Sequence, residues 1–169
     1  MPESGGRLKA GAGIVATASF TPAAAAYSAA DTIGVAKEFT FTFADSGLAI
    51  PEGALIRIVT SVIKIDQTGV ISGETSYSLP LHSVTPPSAI ADNGAYTLLS
   101  ADLAAYRGLL SLGTPVDLGT ACYVRTQYSD QQDFILASGK TSMFGYLVTA
   151  GAFTATAVAR QITLCGFVV

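Results

Sequence analysis

Charge is what this sequence has least of. Charged side chains occupy 12% of its 169 positions, about half of the roughly 25% usual in soluble domains. Apolar residues make up 50%, more than the remaining polar surface of a lone monomer covers comfortably. Part of the surface is therefore expected to be hidden against other subunits. The basic residues are scattered (Arg7, Lys9, Lys37, Arg57, Lys64, Arg107, Arg125, Lys140, Arg160). Nucleic-acid binding needs a concentrated basic stripe, so no nucleic-acid partner is expected.

Histidine, cysteine and tryptophan are nearly or wholly missing. His82 is the single histidine, so several-histidine metal sites are excluded by count and any Ser-His-Asp or Cys-His system must use it. It falls on the polar face of its segment with Ser76 and Ser78, which predicts a solvent-facing side chain. Neither a GxSxG elbow nor a nucleophilic Cys motif accompanies it. Cys122 and Cys165 are too few for a disulfide framework and lack ligand spacing; in strand-like runs they are expected as buried free thiols, which suits a reducing cytoplasm. The absence of Trp weakens any carbohydrate-platform reading, because sugars stack on large aromatics.

Membrane and cofactor signals fail on context. Ala10–Ala30 imitates a secretory leader after Arg7 and Lys9, but Thr17, Ser19, Thr21, Pro22 and Ser28 dilute it. Thr141–Ala159 is uncharged, yet Gly145, Gly151 and its threonines make a poor membrane helix. Gly11–Ala16 spells GxGxxA without a preceding strand or a following helix. Ser138–Thr141 ends like a phosphate-binding loop, but no glycine precedes it at the required spacing. Asp92, Asp130 and Asp133 lie in Asx-type turn segments rather than as a catalytic or calcium-binding set. No catalytic, metal or cofactor-binding residues are assigned.

What is present reads as strands. Phe39, Phe41 and Phe43 alternate with Glu38, Thr40 and Thr42, the period of a half-buried strand. Ala54–Ile65 places Leu55, Val59, Ile63 and Ile65 on one face and Ile56, Ile58 and Val62 on the other, which predicts a central strand covered on both sides, with Arg57 near the edge. Ser76–His82 alternates with Tyr77, Leu79 and Leu81 inward, and Pro80 points to an edge strand or a bulge. Ile14–Phe20, Ala121–Tyr128, Phe134–Leu136, Ser142–Thr149 and Thr154–Val169 are further strands, the last bent near Arg160. Ala95–Leu99 is a short strand candidate. Ser100–Gly108 reads as a helical turn capped by Ser100, with Leu99, Leu103, Tyr106 and Leu110 as its stripe. Pro22–Asp31 is an extended crossover, and Val84–Gly94 a loop.

The expected fold is all-β, a jelly-roll-like β-sandwich over residues 14–169, preceded by an extended N-terminal arm at residues 1–13. The arm, Met1–Gly13, has no apolar face; Arg7 and Lys9 suit an acidic patch on a neighbouring chain. Ile14 and Tyr27 complete the expected contacts with neighbouring chains.

Five segments together resemble a group of small tailed-bacteriophage virion proteins. They are Ala26-Tyr-Ser-Ala-Ala-Asp31, Gly53-Ala-Leu-Ile-Arg-Ile-Val59, Tyr77-Ser-Leu-Pro-Leu-His82, Pro86-Pro-Ser-Ala-Ile-Ala-Asp-Asn-Gly-Ala-Tyr96 and Met143-Phe-Gly-Tyr-Leu-Val-Thr149. The resemblance implies a non-enzymatic decoration or cement protein, commonly trimeric, bound to the major capsid protein on the virion surface and made in the bacterial host cytoplasm. It supplies no cofactor and no membrane partner. In that pattern Asp102–Leu112 would be a strand, where the residues here read as helix, and the arm has no counterpart. The alternative is a glycan-binding head fibre or receptor-binding module using the segments Thr85–Gly94 and Tyr128–Asp133. A glycan hydrolase is a third reading, without a carboxylate pair to carry it.

Overall fold

The computed structural model describes residues 12–169, so the arm's Arg7 and Lys9 lie outside the described residues. Along the chain run β1 (Gly13–Phe20), β2 (Ala26–Tyr27), β3 (Thr32–Thr40), β4 (Thr42–Phe43), β5 (Leu55–Ile65), β6 (Tyr77–His82), β7 (Tyr106–Gly113), β8 (Val116–Asp117), β9 (Cys122–Ile135), β10 (Ser142–Thr149), β11 (Phe153–Thr154) and β12 (Arg160–Val168). A single 3₁₀ turn spans Ser100–Asp102. One sheet has the order β4-β1-β12-β5-β9-β8, the second β3-β10-β6-β7, and β11 pairs with β2 beside them.

The eight longer strands establish a jelly roll. Counted in chain order, the first pairs with the eighth, the second with the seventh, the third with the sixth and the fourth with the fifth, all antiparallel. That is one long antiparallel ribbon wrapped over itself, closed by the further pairings β12–β5 and β10–β6. Inward side chains of both sheets make a single core: Phe20, Ile56, Ile63, Ile162 and Leu164 meet Phe39, Leu79, Leu110, Met143 and Leu147. Each such Ile, Leu or Phe contributes about 1.5–3 kcal/mol on burial. The Phe39 and Phe41 alternation holds, with both rings fully buried and Phe43 partly so.

β5 departs from its expected two-sided burial. Its inward residues are Ile56 and Ile58 before Val59, but Ser61, Ile63 and Ile65 after it. The register with β12 explains the switch: Gly166 opposes Ile58 and Cys165 opposes Thr60, so Val59 is an extra residue, a bulge that reverses the parity. Leu55, Arg57, Val62 and Lys64 consequently face outward on an interior strand, not a sheet edge.

Two-sided burial belongs instead to β6 and β10. Pro80 sits in an interior strand rather than at an edge; the ladder to β10 pairs Leu81 and Ser78 while leaving out Leu79 and Pro80. The outer face of this sheet is covered by the connection at residues 83–105, called here the strap. Ala95–Leu99 forms only the bridge Asp31–Ala95, not a strand. The helix expected over Ser100–Gly108 shrinks to the one 3₁₀ turn, whose cap position is Leu99, and β7 begins at Tyr106. Gly108, read as a helix stop, is a strand residue at φ 138°. Leu99 and Leu103 of the supposed stripe are exposed. Here the strand implied by the resemblance prevails over local propensity. Likewise Ser129–Asp133, read as a loop, belongs to the long bulged strand β9.

Candidate interaction surface

Three features of the molecule stand apart: a lock beneath the strap, a buried ionic cluster, and an exposed apolar row. The lock joins two of the segments that carry the phage-protein resemblance. Asp92 accepts hydrogen bonds from the Tyr27 hydroxyl at 2.7 Å and from the Ala23 and Gly34 N–H groups at 2.9 and 2.6 Å. Backbone bonds zip the same region: Asn93 N–H to Thr32 O, Thr32 N–H to Gly94 O and Tyr96 N–H to Ala30 O. Ala30 and Asn93 adopt the left-handed conformation, at φ 70° and 62°, to make these turns. Burial alone would raise the Asp92 carboxyl, but the Tyr27, Gly34 and Ala23 bonds outweigh it and hold it below its ordinary range. The Tyr27 hydroxyl is pushed up to about 12, first by burial and then by its bond to Asp92.

Asp92→Ala removes an ionised acceptor from three donors at a partly exposed site. The expected loss is about 2 kcal/mol in urea unfolding. The carboxyl is held low in the fold, so its contribution is present above the ordinary carboxylate range and disappears as pH falls through the folded value. Wild type should therefore lose stability on acidification in a component that Asp92→Asn lacks, read from urea midpoints between pH 6 and 3.

The ionic cluster is fully enclosed. Arg160 and Glu74 have no exposed side-chain surface and pair through Nη2 and Oε1 at 2.8 Å, with Nε at 3.1 Å from the same oxygen. The Tyr77 hydroxyl donates to Glu74, and Arg160 Nη1 donates to Val158 O at 2.6 Å. The guanidinium carbon lies 5.6 Å from the Phe153 ring centre. Burial raises the Tyr77 hydroxyl far above its ordinary value. Sequence reasoning missed this cluster. The signal was there: Arg160 shares the inward parity of Ile162 and Leu164, and an inward charge demands a partner.

The exposed row lies on the outer face of the six-stranded sheet. Leu55 pairs in register with Ile135, and the Val169 N–H bonds to Leu55 O, so Val169, Leu55 and Ile135 stand side by side across three strands. They are 52%, 37% and 56% exposed. One step along lie Phe167, Arg57 and Asp133. Arg57 holds Asp133 in a bidentate pair at 2.5 and 2.7 Å and stands 5.8 Å from the Phe167 ring centre. The hydrogen bond from Arg57 holds the Asp133 carboxyl below its usual range. The pair neutralises the two charges, leaving the apolar row beside a patch without net charge. Gly13, the first residue of β1, opposes Phe167 at the same end of the sheet.

Ile14 and Tyr27, expected as capsid or subunit contacts, are 2% and 3% exposed and packed inside the domain; β1 parity and the lock put them there. Cys122 is buried, but Cys165 is half-buried on the outer face with Thr163 and Phe167. His82 is not solvent-facing: it is 1% exposed, because the strap covers the polar face to which its parity assigned it. Asp130 and Asp133 lie in β9 rather than a turn. The segment Thr85–Gly94 lies in the strap, whereas Tyr128–Asp133, read as a loop, belongs to β9. Among the described residues no group of three or more His, Cys, Asp or Glu is placed to hold a metal, and no helix is long and apolar enough to cross a membrane.

No protein-family model matches the chain, and no curated protein is detectably similar. Among solved structures it is similar to a chain of the Cowpea Mosaic Virus empty virus-like particle, with a TM-score of 0.36 and 10% identity over 99% of this chain and 83% of that one. It is also similar to a chain of the heated Israeli acute paralysis virus particle, with a TM-score of 0.29 and 9% identity over 92% and 70%. A chain of the native Kashmir bee virus virion at acidic pH gives 0.25 and 13% over 92% and 72%. These likenesses are too distant to add to the jelly-roll assignment, which rests on the strand order itself.

Proposed function

We propose that this chain is a non-enzymatic structural protein of a tailed-bacteriophage particle, a decoration or cement protein that binds the outer surface of the major capsid protein lattice as a homotrimer. The observation that carries the reading is the exposed row Val169, Leu55 and Ile135 beside the neutralised Arg57–Asp133 pair. A patch of adjacent apolar side chains without net charge is a surface made to be covered. Low overall charge supports the same reading, as do the tailed-phage-like segments, whose Tyr27 and Asp92 meet in a fold-holding lock rather than in a reactive site. The arm, with Arg7 and Lys9, supplies a second contact with an acidic patch on the capsid.

The test is decoration of stripped capsids by purified protein. Leu55→Asp with Ile135→Asp should leave the domain folded, because both side chains point outward, and should reduce occupancy by at least about tenfold, a loss of 1.4 kcal/mol or more. Deleting residues 2–12 should lower occupancy most at low salt and less at raised salt, where the arm's electrostatic share is already screened. Wild-type occupancy by both variants overturns the proposal. The glycan-binding alternative would show instead as retained binding on a glycan array with no affinity for capsids.

A further inference from the structure

The strap holds a buried group that the proposed capsid role does not use. His82 closes β6, with Phe144 of β10 and Tyr106 of β7 opposite it in register. Its ring meets Tyr106 edge-on at 5.6 Å and Tyr146 at 6.0 Å, and Tyr96 of the strap packs on Tyr146 at 5.8 Å. Its Nδ1 is buried without a hydrogen-bond partner, as are the Tyr96 hydroxyl and Arg107 Nε. Three polar atoms left unpaired in one aromatic neighbourhood mark a poorly satisfied contact between strap and sheet.

The strap is fastened unequally. Over Asp92 it is held by the lock already described. Over His82 it is held to the sheet by Ile90 N–H to the Tyr146 hydroxyl at 3.2 Å and by that hydroxyl to Ser88 O at 2.9 Å, while Ser83 N–H to Ala105 O at 2.8 Å and Ser88 N–H to Asp102 Oδ1 at 3.0 Å tie the strap to itself.

We infer that His82 makes this half of the strap an acid-released cover: protonating its imidazole puts a cation among the tyrosine rings and frees Ser83–Ile90 and the 3₁₀ turn from the outer face of β6 and β10. The groups facing the imidazole give that cation little support. From β7 comes Tyr106; the next residue, Arg107, turns its Nη1 to Ala104 O and Tyr106 O. From β10 comes Tyr146, and from the strap Tyr96 and Asp102; beyond Phe144 lie Glu38, which accepts from Ser142, and Lys140. Asp102 is the one carboxylate that favours the charged form, and it is already engaged by Ser88. Burial outweighs it and holds His82 below its ordinary 6.5. The sign follows: a depressed value means that closure is fully supported above about 6.5 and weakens as pH falls toward the folded value.

Amide hydrogen exchange on the full chain, with protection factors corrected for the intrinsic pH dependence, tests this. Between pH 7.5 and 5, protection at Ser88 and Ile90 should fall by up to about 30-fold, tenfold for each unit below the open-state value. Asn93, on the Asp92 side, should change much less. His82→Gln should abolish the pH-dependent fall at Ser88 and Ile90; His82→Phe serves where the Gln variant does not fold. As His82 is the single histidine, its imidazole resonance can be titrated by NMR without ambiguity, and its midpoint should lie below 6.5. An equal fall in the variants, an unchanged strap in wild type, or a midpoint at or above 6.5 overturns the inference.

Discussion

Glu74→Gln and Arg160→Met should each lower stability by about 3–5 kcal/mol, since each leaves one fully buried charge without its counter-ion. For a domain of this size that is a fall of about 6–20 °C in melting temperature. The two partners also organise everything around them. Losing Arg160 strands the Val158 carbonyl; neutralising Glu74 removes the charged acceptor of the Tyr77 hydroxyl and leaves the guanidinium with the Val158 carbonyl and the Phe153 ring but no counter-ion. Combining the two changes should cost clearly less than their sum, because the second removes a group already orphaned by the first. Thermal melts of the three variants decide the matter. Additive effects, or single losses below about 1 kcal/mol, would mean that the pair is solvated rather than enclosed.

Gly166→Ala is expected to be as damaging, by a steric route. A Cβ at this position would run into the Arg57 carbonyl oxygen and stand 2.8 Å from the Arg57 carbonyl carbon and 3.1 Å from Ile58 Cα. All three are backbone atoms of β5, so no side-chain rotation relieves the contact. The clash falls where Val59 bulges, and the bulge allows Ile56 and Ile58 to share the core with Ile63 and Ile65. Relief requires β12 and β5 to separate in the middle of the sheet, costing about 3 kcal/mol or more. Gly47→Ala is the matched comparison: nothing crowds that site, and the expected loss is only the strain of its φ of 68°, about 1–2 kcal/mol. Similar urea midpoints for the two variants would show that the β5 backbone yields at the bulge without cost.

Sequence reasoning succeeded where information is local and failed where it is shared between distant segments. Alternation alone placed Phe39, Phe41, Tyr77, Leu79 and Leu81 in the core, because a strand's period of two is written in consecutive residues. The same rule misassigned β5, since Val59 reads as one more β-branched residue and its bulge is defined only by Gly166 on another strand. His82 was put on the correct face of β6; that the strap covers this face depends on residues far along the chain. Turn chemistry was right for Asp92-Asn-Gly and wrong for Asp133, which Arg57 recruits into β9. Of the interaction surface, the apolar surplus was legible from composition. The row itself was not, because Val169, Leu55 and Ile135 become neighbours only through pairing.

The placement of β12 has a kinetic consequence. It lies between β1 and β5 in the middle of its sheet, and the side-chain bond from Thr17 to Thr163 joins residues 146 apart in sequence. During synthesis, β1 and β5 emerge long before the strand that separates them, and each offers an unpaired edge until Arg160–Val168 arrives. Closure of so long a loop must precede the contacts that reward it, which puts folding of the sandwich on the millisecond-to-second scale of non-local β topologies. Through that interval the half-built sheet is open to pairing with a second chain, so a nascent chain stalled before Arg160 is the form of this protein most exposed to aggregation.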